Sequence, residues 1–392
     1  MAVEYDISFV SEKCREQMAR LTSMSYKRDK CLSCGQYDNA YILPTLPQKK
    51  RIGGVFDSDR RFVPFSAMDD CSVQPVFQVE CDEIERKNEV VIFIGTFNSI
   101  WGHALTDSLK KLWFLFTDEG QSLLEAGARI AFLYLGKPDN YTHKVLQMAG
   151  VDLDRVVDSA RPIQYKRIYV PEGSIIHSPS DEDWRFFTDE YKVVIKHLAD
   201  NVDVLCERYN EHYDKIYFSR RYSSQIGREW GEGDIERVFH NLGYEIIYPE
   251  RIPMLQQVAI LRHCTCFATT EGSVSHNAVF CKPGTQVKIV RKCNRPNFHQ
   301  FIINEAVGLR VTYIDANKSF VADNKRPLHG PFYLYVNSEM RRFYGKRLYV
   351  FPYWLRPSWW WYSLNRIGWF RRNIGNRRIV YKVEGRMKNL RK

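Results

Sequence analysis

The sequence predicts an α/β protein of two similar layered halves followed by a basic, aromatic C-terminal tail. Three observations carry that expectation. At 392 residues the chain is longer than one hydrophobic core ordinarily organises. From Glu89 to Asp315, short apolar runs alternate with helix-like stretches, as when buried parallel strands are joined by helices. The charge is also divided. Residues 341–392 hold fifteen Lys and Arg against one acid, Glu384, a net of +14; the whole chain is +11, so the remainder is −3.

Residues up to about Arg86 read as short strands and loops, with apolar bursts at Tyr41 to Leu43 and Pro75 to Phe77. Val90 to Gly95 is a continuous apolar run of the kind buried on both faces of a sheet. A helix over Trp101 to Leu115, a strand over Ala128 to Leu135 and a helix over Tyr141 to Ala149 follow, with Gly150 as a stop. Short strands at Val156 to Val157 and Arg167 to Val170 and a helical stretch from Phe186 to Tyr209 close this half. The second half repeats the logic. Strands are expected at Lys215 to Ser219, Tyr244 to Tyr248, Cys264 to Ala268, Gln286 to Val290 and Val311 to Asp315. Helices fall at Asp234 to Leu242, Pro253 to Arg262, from about Val274, and at His299 to Ala306. The expected divisions are 1–88 as an extension of the first half, 89–210 as that half, 211–335 as the second, and 336–392 as the tail.

Several classes lose support. No apolar run reaches the roughly 18 residues that span a bilayer, and the opening residues lack the apolar core of a secretory signal. The ten cysteines, in a long chain without such a signal, are expected as reduced thiols; Cys31 and Cys34 have metal-like spacing but no second pair nearby. GxxxxGK(S/T) and GxGxxG are absent, which removes the main support for triphosphate and dinucleotide cofactors. Asp57 and Asp59, Asp152 and Asp154, and Asp181 and Asp183 spell Asp-x-Asp, but none follows a convincing strand, so no metal and no cofactor is assigned.

Three segments carry candidate chemistry. Cys264 to Phe280 is a strand that turns through Gly272 and Ser273 toward a helix, whose free N–H groups attract anions. Glu271 and Asn277 there are placed to bond a ribose or a sugar; the plainer reading is an ordinary β-turn-α connection. After the strand at Lys215, Arg220 and Arg221 arrive at the carboxyl edge of a sheet, where guanidinium forks bind phosphate, with Arg228 in the loop beyond; the plainer reading is solvated arginines. His103 and Asp107, four apart, share a helix face, and such a pair can take a proton from a hydroxyl. The alternative is a His that caps the helix or packs beside Trp101.

In order and spacing these segments resemble glycosyltransferase family 61, in its bacterial capsular and exopolysaccharide branch. The stretch Trp101-Gly102-His103-Ala104-Leu105-Thr106-Asp107 is similar to the family's early W-x-H…D segment. Ile216-Tyr217-Phe218-Ser219-Arg220 resembles its Ile–aromatic–x–Ser–Arg segment, and Pro249-Glu250 with Gln256-Gln257-Val258 its P-E…E-Q-V stretch. Gly272-Ser273 through Asn277 and Phe280, with Pro283-Gly284, is similar to its G-A/S-x-x-x-N-x-x-F…P-G segment, and Asn297-Phe298-His299-Gln300 fits a further bacterial pattern. Many members have His where this chain has Glu271. The resemblance implies a GT-B-type fold, with two Rossmann-like domains facing a cleft, a nucleotide-sugar donor, inversion at the anomeric carbon and no obligatory metal. By position, Arg220, Arg221, Gly272 and Ser273 would meet the donor diphosphate, and His103 or Asp107 would be the base. The acceptor would be a saccharide, lipid-linked.

The tail interleaves thirteen aromatics with arginines from Arg341 onward. Trp354, Trp359, Trp360, Trp361, Trp369, Arg371 and Arg372 suit a membrane interface, where Trp sits at the headgroups and each cation gains about 1 kcal/mol near anionic lipid. The expected location is the cytoplasmic face of the cell membrane, peripherally bound. Two other readings of the tail are a nucleic-acid surface and packing back on the N-terminal half. For the whole chain the alternatives are a non-catalytic scaffold of a polysaccharide assembly and an RNA-binding protein.

Overall fold

The computed structural model describes residues 2–45, 53–67, 75–79, 84–98, 100–135, 140–157, 159–177, 185–207, 209, 212–222, 229–317, 332–347 and 349–366. The chain divides into two compact units. One combines Met1–Met24, Tyr209–Gln300 and Gly308–Lys392; the other combines Ser25–Arg208 and Phe301–Val307.

The first unit is built on a six-stranded sheet in the order Glu4–Phe9, Arg310–Asp315, Gln286–Arg291, Cys266–Thr270, Lys215–Phe218, Glu245–Ile247. Every pairing in it is parallel. The central strands are apolar throughout because both faces are covered: all five residues of Cys266–Thr270 are buried. Tyr217, Phe218, Phe267, Val287, Ile289 and Val311 form this core. At about 1.5–3 kcal/mol for each fully buried large apolar side chain, burial here is the main term holding the sheet. Helices Glu232–Asn241 and Met254–His263 follow their strands as expected, and Gly243 takes the left-handed conformation (φ +81°) that ends the first of them.

The order of these strands contains a reversal. From Lys215–Phe218 the chain goes first to Glu245–Ile247 on one side. It then returns to Cys266–Thr270 on the other side and continues outward through Gln286–Arg291 and Arg310–Asp315. Between Lys215–Phe218 and Cys266–Thr270 lies a topological switch point, where the loops leaving the two strands part in opposite directions.

The outer strand corrects the expected division. Residues 1–88 were assigned to the first half, yet Glu4–Phe9 pairs with Arg310–Asp315, through Glu4 with Arg310 and Tyr5 with Val311. Its residues alternate between exposed and partly covered, which suits an edge strand. The helix Glu12–Ser23 that follows buries Cys14, Met18 and Leu21.

The second unit is not a copy of the first. Its six-stranded sheet is mixed, in the order Gly54–Phe56, Cys34–Leu43, Ile163–Pro171, Glu85–Asn98, Arg129–Leu135, Val156–Val157. Cys34–Leu43 runs antiparallel to both its neighbours, and the remaining pairings are parallel. The helix expected over Trp101 to Leu115 is a single α-turn, Trp101–Ala104, followed by turns and a 3-10 segment, Leu112–Phe116. Leu105, Leu109, Leu112, Trp113, Phe114 and Leu115 are all buried, too dense an apolar run for one helical stripe, so the chain turns to bury them. Helices Asn140–Met148 and Asp189–Cys206 form where amphipathic spacing predicts them.

The described part of the tail packs on the parallel-sheet unit. Asn337 caps helix Ser338–Tyr344, its side chain accepting from Met340 N–H, and Gly345 (φ +70°) ends it. In helix Pro357–Arg366, Trp359 is 7% exposed, edge-on to Tyr333 and tilted against Tyr362, beside Trp230 and Tyr353. Trp359 was expected at a membrane interface; it is a core residue, because its face of the helix meets the aromatic cluster. Arg356 is ion-paired with the buried Asp234. Trp360, one position on, is 60% exposed, and Trp354, Tyr349, Phe351 and Leu355 are exposed as well. Trp369, Arg371 and Arg372 lie outside the described residues, as does Arg228.

No helix among the described residues is long and apolar enough to cross a membrane. The eight described cysteines are free thiols. Asp152 caps the 3-10 turn Leu153–Arg155, with one oxygen accepting from Asp154 N–H at 3.0 Å and the other meeting Arg155 Nε at 3.3 Å.

Candidate functional site

Because its strands are parallel, the first unit collects all their carboxyl ends at one edge. Ser219 to Arg221, Glu271 and Gly272, Arg291 and Lys292, and Asp315 are delivered there. The switch point sets the first two groups side by side. Gly272 has φ +132°, a conformation costly for any residue with a Cβ. A Cβ built on it would lie 3.2 Å from Lys292 Nζ and 3.7 Å from Arg220 Nη1. The two sequence-nominated segments therefore meet, and the glycine leaves open a space walled by two cations.

One carboxylate bridges those cations. Glu229 Oε1 accepts from Lys292 Nζ at 2.6 Å, and Glu229 Oε2 lies 3.4 Å from Arg220 Nε. Burial pushes this carboxyl up, but the charges of Lys292 and Arg220 outweigh it and hold the group below the usual carboxylate range. Glu232, three residues on, is buried. Its Oε1 accepts from Arg220 N–H and from the Tyr217 hydroxyl, each at 3.0 Å. Burial raises its carboxyl to about 7, and the nearby Glu229 charge adds to the shift. Neither Glu229, Glu232 nor Lys292 was singled out from the sequence.

The other nominated residues are placed as follows. Arg221 is turned to the next helix: its Nη1 meets Glu236 Oε2 at 2.9 Å, while Glu236 Oε1 accepts from Ser219 Oγ at 2.6 Å. Glu271 points toward the backbone of the Asn297 loop, with Oε1 accepting from Asn297 N–H at 2.9 Å. Its other oxygen is buried without a hydrogen-bond partner among the described residues, and burial holds the carboxyl above its ordinary range. The helix expected from about Val274 is a six-residue 3-10 segment, Ser275–Phe280. Gly272 N–H donates to Ser275 Oγ at 3.2 Å, so this loop bonds itself and is not an open helix end. Asn277 is buried and donates to Val274 O at 3.0 Å. Ser273 is half-buried. Beyond them, Arg291 is 0% exposed and donates from Nη1 to Asp315 Oδ1 at 2.7 Å, and Asp315 Oδ2 accepts from Ser11 N–H at 3.0 Å.

The second unit carries the remaining pair. His103 Nδ1 and Asp107 Oδ2 are 2.5 Å apart. The carboxylate faces Nδ1, so it favours the tautomer with the proton on Nδ1 and the basic lone pair on Nε2. His103 keeps 42% of its side-chain surface exposed. This arrangement suits proton abstraction; the cation pair at the switch point suits an anion.

Residues 101–288 match the model of the family described as Glycosyltransferase 61. The matched stretch begins at Trp101, two residues before His103, and includes Arg220, Glu229 and Gly272. No curated protein matches the chain.

Proposed function

We propose that this glycosyltransferase, whose residues 101–288 match family 61, moves a sugar from a nucleotide-sugar donor to a saccharide hydroxyl with inversion, on a GT-B-type fold. The observation that carries the reading is the meeting of Arg220 with Gly272 at the switch point of a parallel sheet. The diphosphate of the donor lies there, and Arg220 neutralises the charge that grows as the anomeric C–O bond breaks. His103 Nε2 takes the proton of the acceptor hydroxyl, whose oxygen attacks the anomeric carbon opposite the departing nucleoside diphosphate. Asp107 holds the imidazole and stabilises the imidazolium that forms. With guanidinium charge supplied by the chain, the reaction needs no obligatory metal.

The exposed Tyr349, Phe351, Trp354, Leu355 and Trp360, on a strongly basic segment, support a peripheral attachment to anionic membrane. The acceptor in this reading is lipid-linked, as in bacterial capsular or exopolysaccharide synthesis. The test is release of a nucleoside diphosphate from UDP-, GDP- and dTDP-sugars, or of CMP from CMP-sugars, with a lipid-linked saccharide. His103→Ala is expected to slow turnover by about 10²–10⁴-fold while donor binding persists. Full transfer by both His103→Ala and Asp107→Asn would remove this pair from the mechanism. In flotation with anionic vesicles, Trp354→Ser with Trp360→Ser is expected to leave more protein in solution; unchanged flotation would dissociate these residues from the membrane.

A further inference from the structure

We propose that Lys292 is a second phosphate-binding residue, and that Glu229 is a built-in carboxylate occupying the phosphate position on Lys292 and Arg220 until a donor diphosphate takes its place. This inference rests on the nucleotide-sugar reading above. Lys292 lies four residues past the end of the family match, just after a different strand from those that carry Arg220 and Gly272.

Four observations support it. The Glu229 carboxylate reaches each cation with a separate oxygen, at 2.6 Å to Lys292 Nζ and 3.4 Å to Arg220 Nε, as two phosphate oxygens would. Both cations line the gap that a side chain at Gly272 would fill. Lys292 is 8% exposed, with its ammonium 4.7 Å from the centre of the Phe332 ring. A cation so enclosed needs an anion beside it, and Glu229 supplies it here. Finally, Gln286–Arg291 is the immediate neighbour of Cys266–Thr270, so Lys292 reaches the switch point from the side opposite Arg220. Together the three strand ends form a cradle: Arg220 from one, the open backbone of Gly272 from the middle one, Lys292 from the third.

An internal anion of this kind has a consequence for affinity. Two cations with one carboxylate carry a single net positive charge. A diphosphate brings more negative charge than the carboxylate and more acceptor oxygens, so it wins the exchange, but at an affinity reduced by the competition. Were Glu229 instead a permanent brace, its loss would disorder the cations and weaken binding. The two roles therefore predict opposite signs.

The experiment is calorimetric titration of the full-length protein with inorganic pyrophosphate and with UDP, GDP, CDP and dTDP. Lys292→Met is expected to weaken pyrophosphate and the preferred nucleoside diphosphate alike, by ten-fold or more. Glu229→Gln, which keeps a hydrogen-bond acceptor for Lys292 while removing the charge, is expected to tighten both by about ten-fold. Wild-type affinity in Lys292→Met, or unchanged or weaker binding in Glu229→Gln, would overturn the proposal. Should Lys292→Met fail to fold, Lys292→Gln combined with Glu229→Gln keeps a neutral hydrogen-bonded pair. It is expected to bind more weakly than Glu229→Gln alone, and equal binding would overturn the proposal as well. A wild-type protein that binds none of the five probes sinks the donor reading itself, a result distinct from any of these.

Discussion

The two units handle charge in opposite ways. At the edge of the parallel sheet, Arg291, Asp315, Lys292 and Glu232 are buried and Glu229 is largely covered, each fixed by named partners. In the mixed-sheet unit, His103 and Asp107 form a short contact at a surface where the imidazole stays substantially exposed. Enclosed charges interact strongly because water does not screen them, and they must be paired or shift their protonation. An exposed pair gives little to stability. The fold thus places one set of charges where solvent is excluded and the His103–Asp107 pair where solvent reaches it.

That contrast makes graded predictions. The largest effect should come from Arg291→Met, which leaves Asp315 buried without its guanidinium. Breaking such a pair costs about 3–5 kcal/mol, whereas Asp107→Asn should change stability by less than about 1 kcal/mol. Urea unfolding of the two variants measures the difference; equal losses would erase the distinction between the units.

Next is the pH dependence set by Glu232. Its folded carboxyl titrates near 7, raised from about 4.5 by burial and by Glu229. A raised acid stabilises the fold while protonated. Its contribution is complete below about pH 4.5 and is lost as pH rises through about 7. Glu232→Gln should therefore be more stable than the parent at pH 8, by on the order of 2–3 kcal/mol, with the gap closing toward pH 4.5. Melting temperatures across that window test this; parallel curves would show that Glu232 is ionised throughout.

The last effect on the phosphate side is expected at Gly272→Ala. The new Cβ would meet Lys292 Nζ at 3.2 Å, at a φ of +132°, for a cost of about 1–3 kcal/mol. Pyrophosphate affinity should fall with it. Normal stability together with normal binding would mean that the space beside Gly272 is not used.

Much of this is legible in the amino-acid sequence. Buried parallel strands announce themselves as apolar runs, so Arg220 and Gly272 were found at strand ends. Lys292 and Glu229 were not. Their pairing depends on which strands are neighbours, and a run such as Gln286 to Arg291 says nothing of what lies beside it. The helix Glu12–Ser23 was missed although Cys14, Met18 and Leu21 fall at helical spacing, because charged residues fill the intervals. The tail misled for a related reason. Composition cannot tell Trp359 from Trp360, yet one step around a helix puts the first in a core and the second in solvent.

The strand Glu4–Phe9 has a bearing on how the molecule is made. It finds its place beside Arg310–Asp315, and Ser11 N–H binds the very Asp315 that holds Arg291. During synthesis the early segment must wait for some three hundred further residues before its partner exists. Completion of the parallel sheet is thus a late, long-range closure, of the slow and aggregation-exposed kind. It fastens the sheet edge that carries Arg220, Gly272 and Lys292 only after residue 315 has emerged.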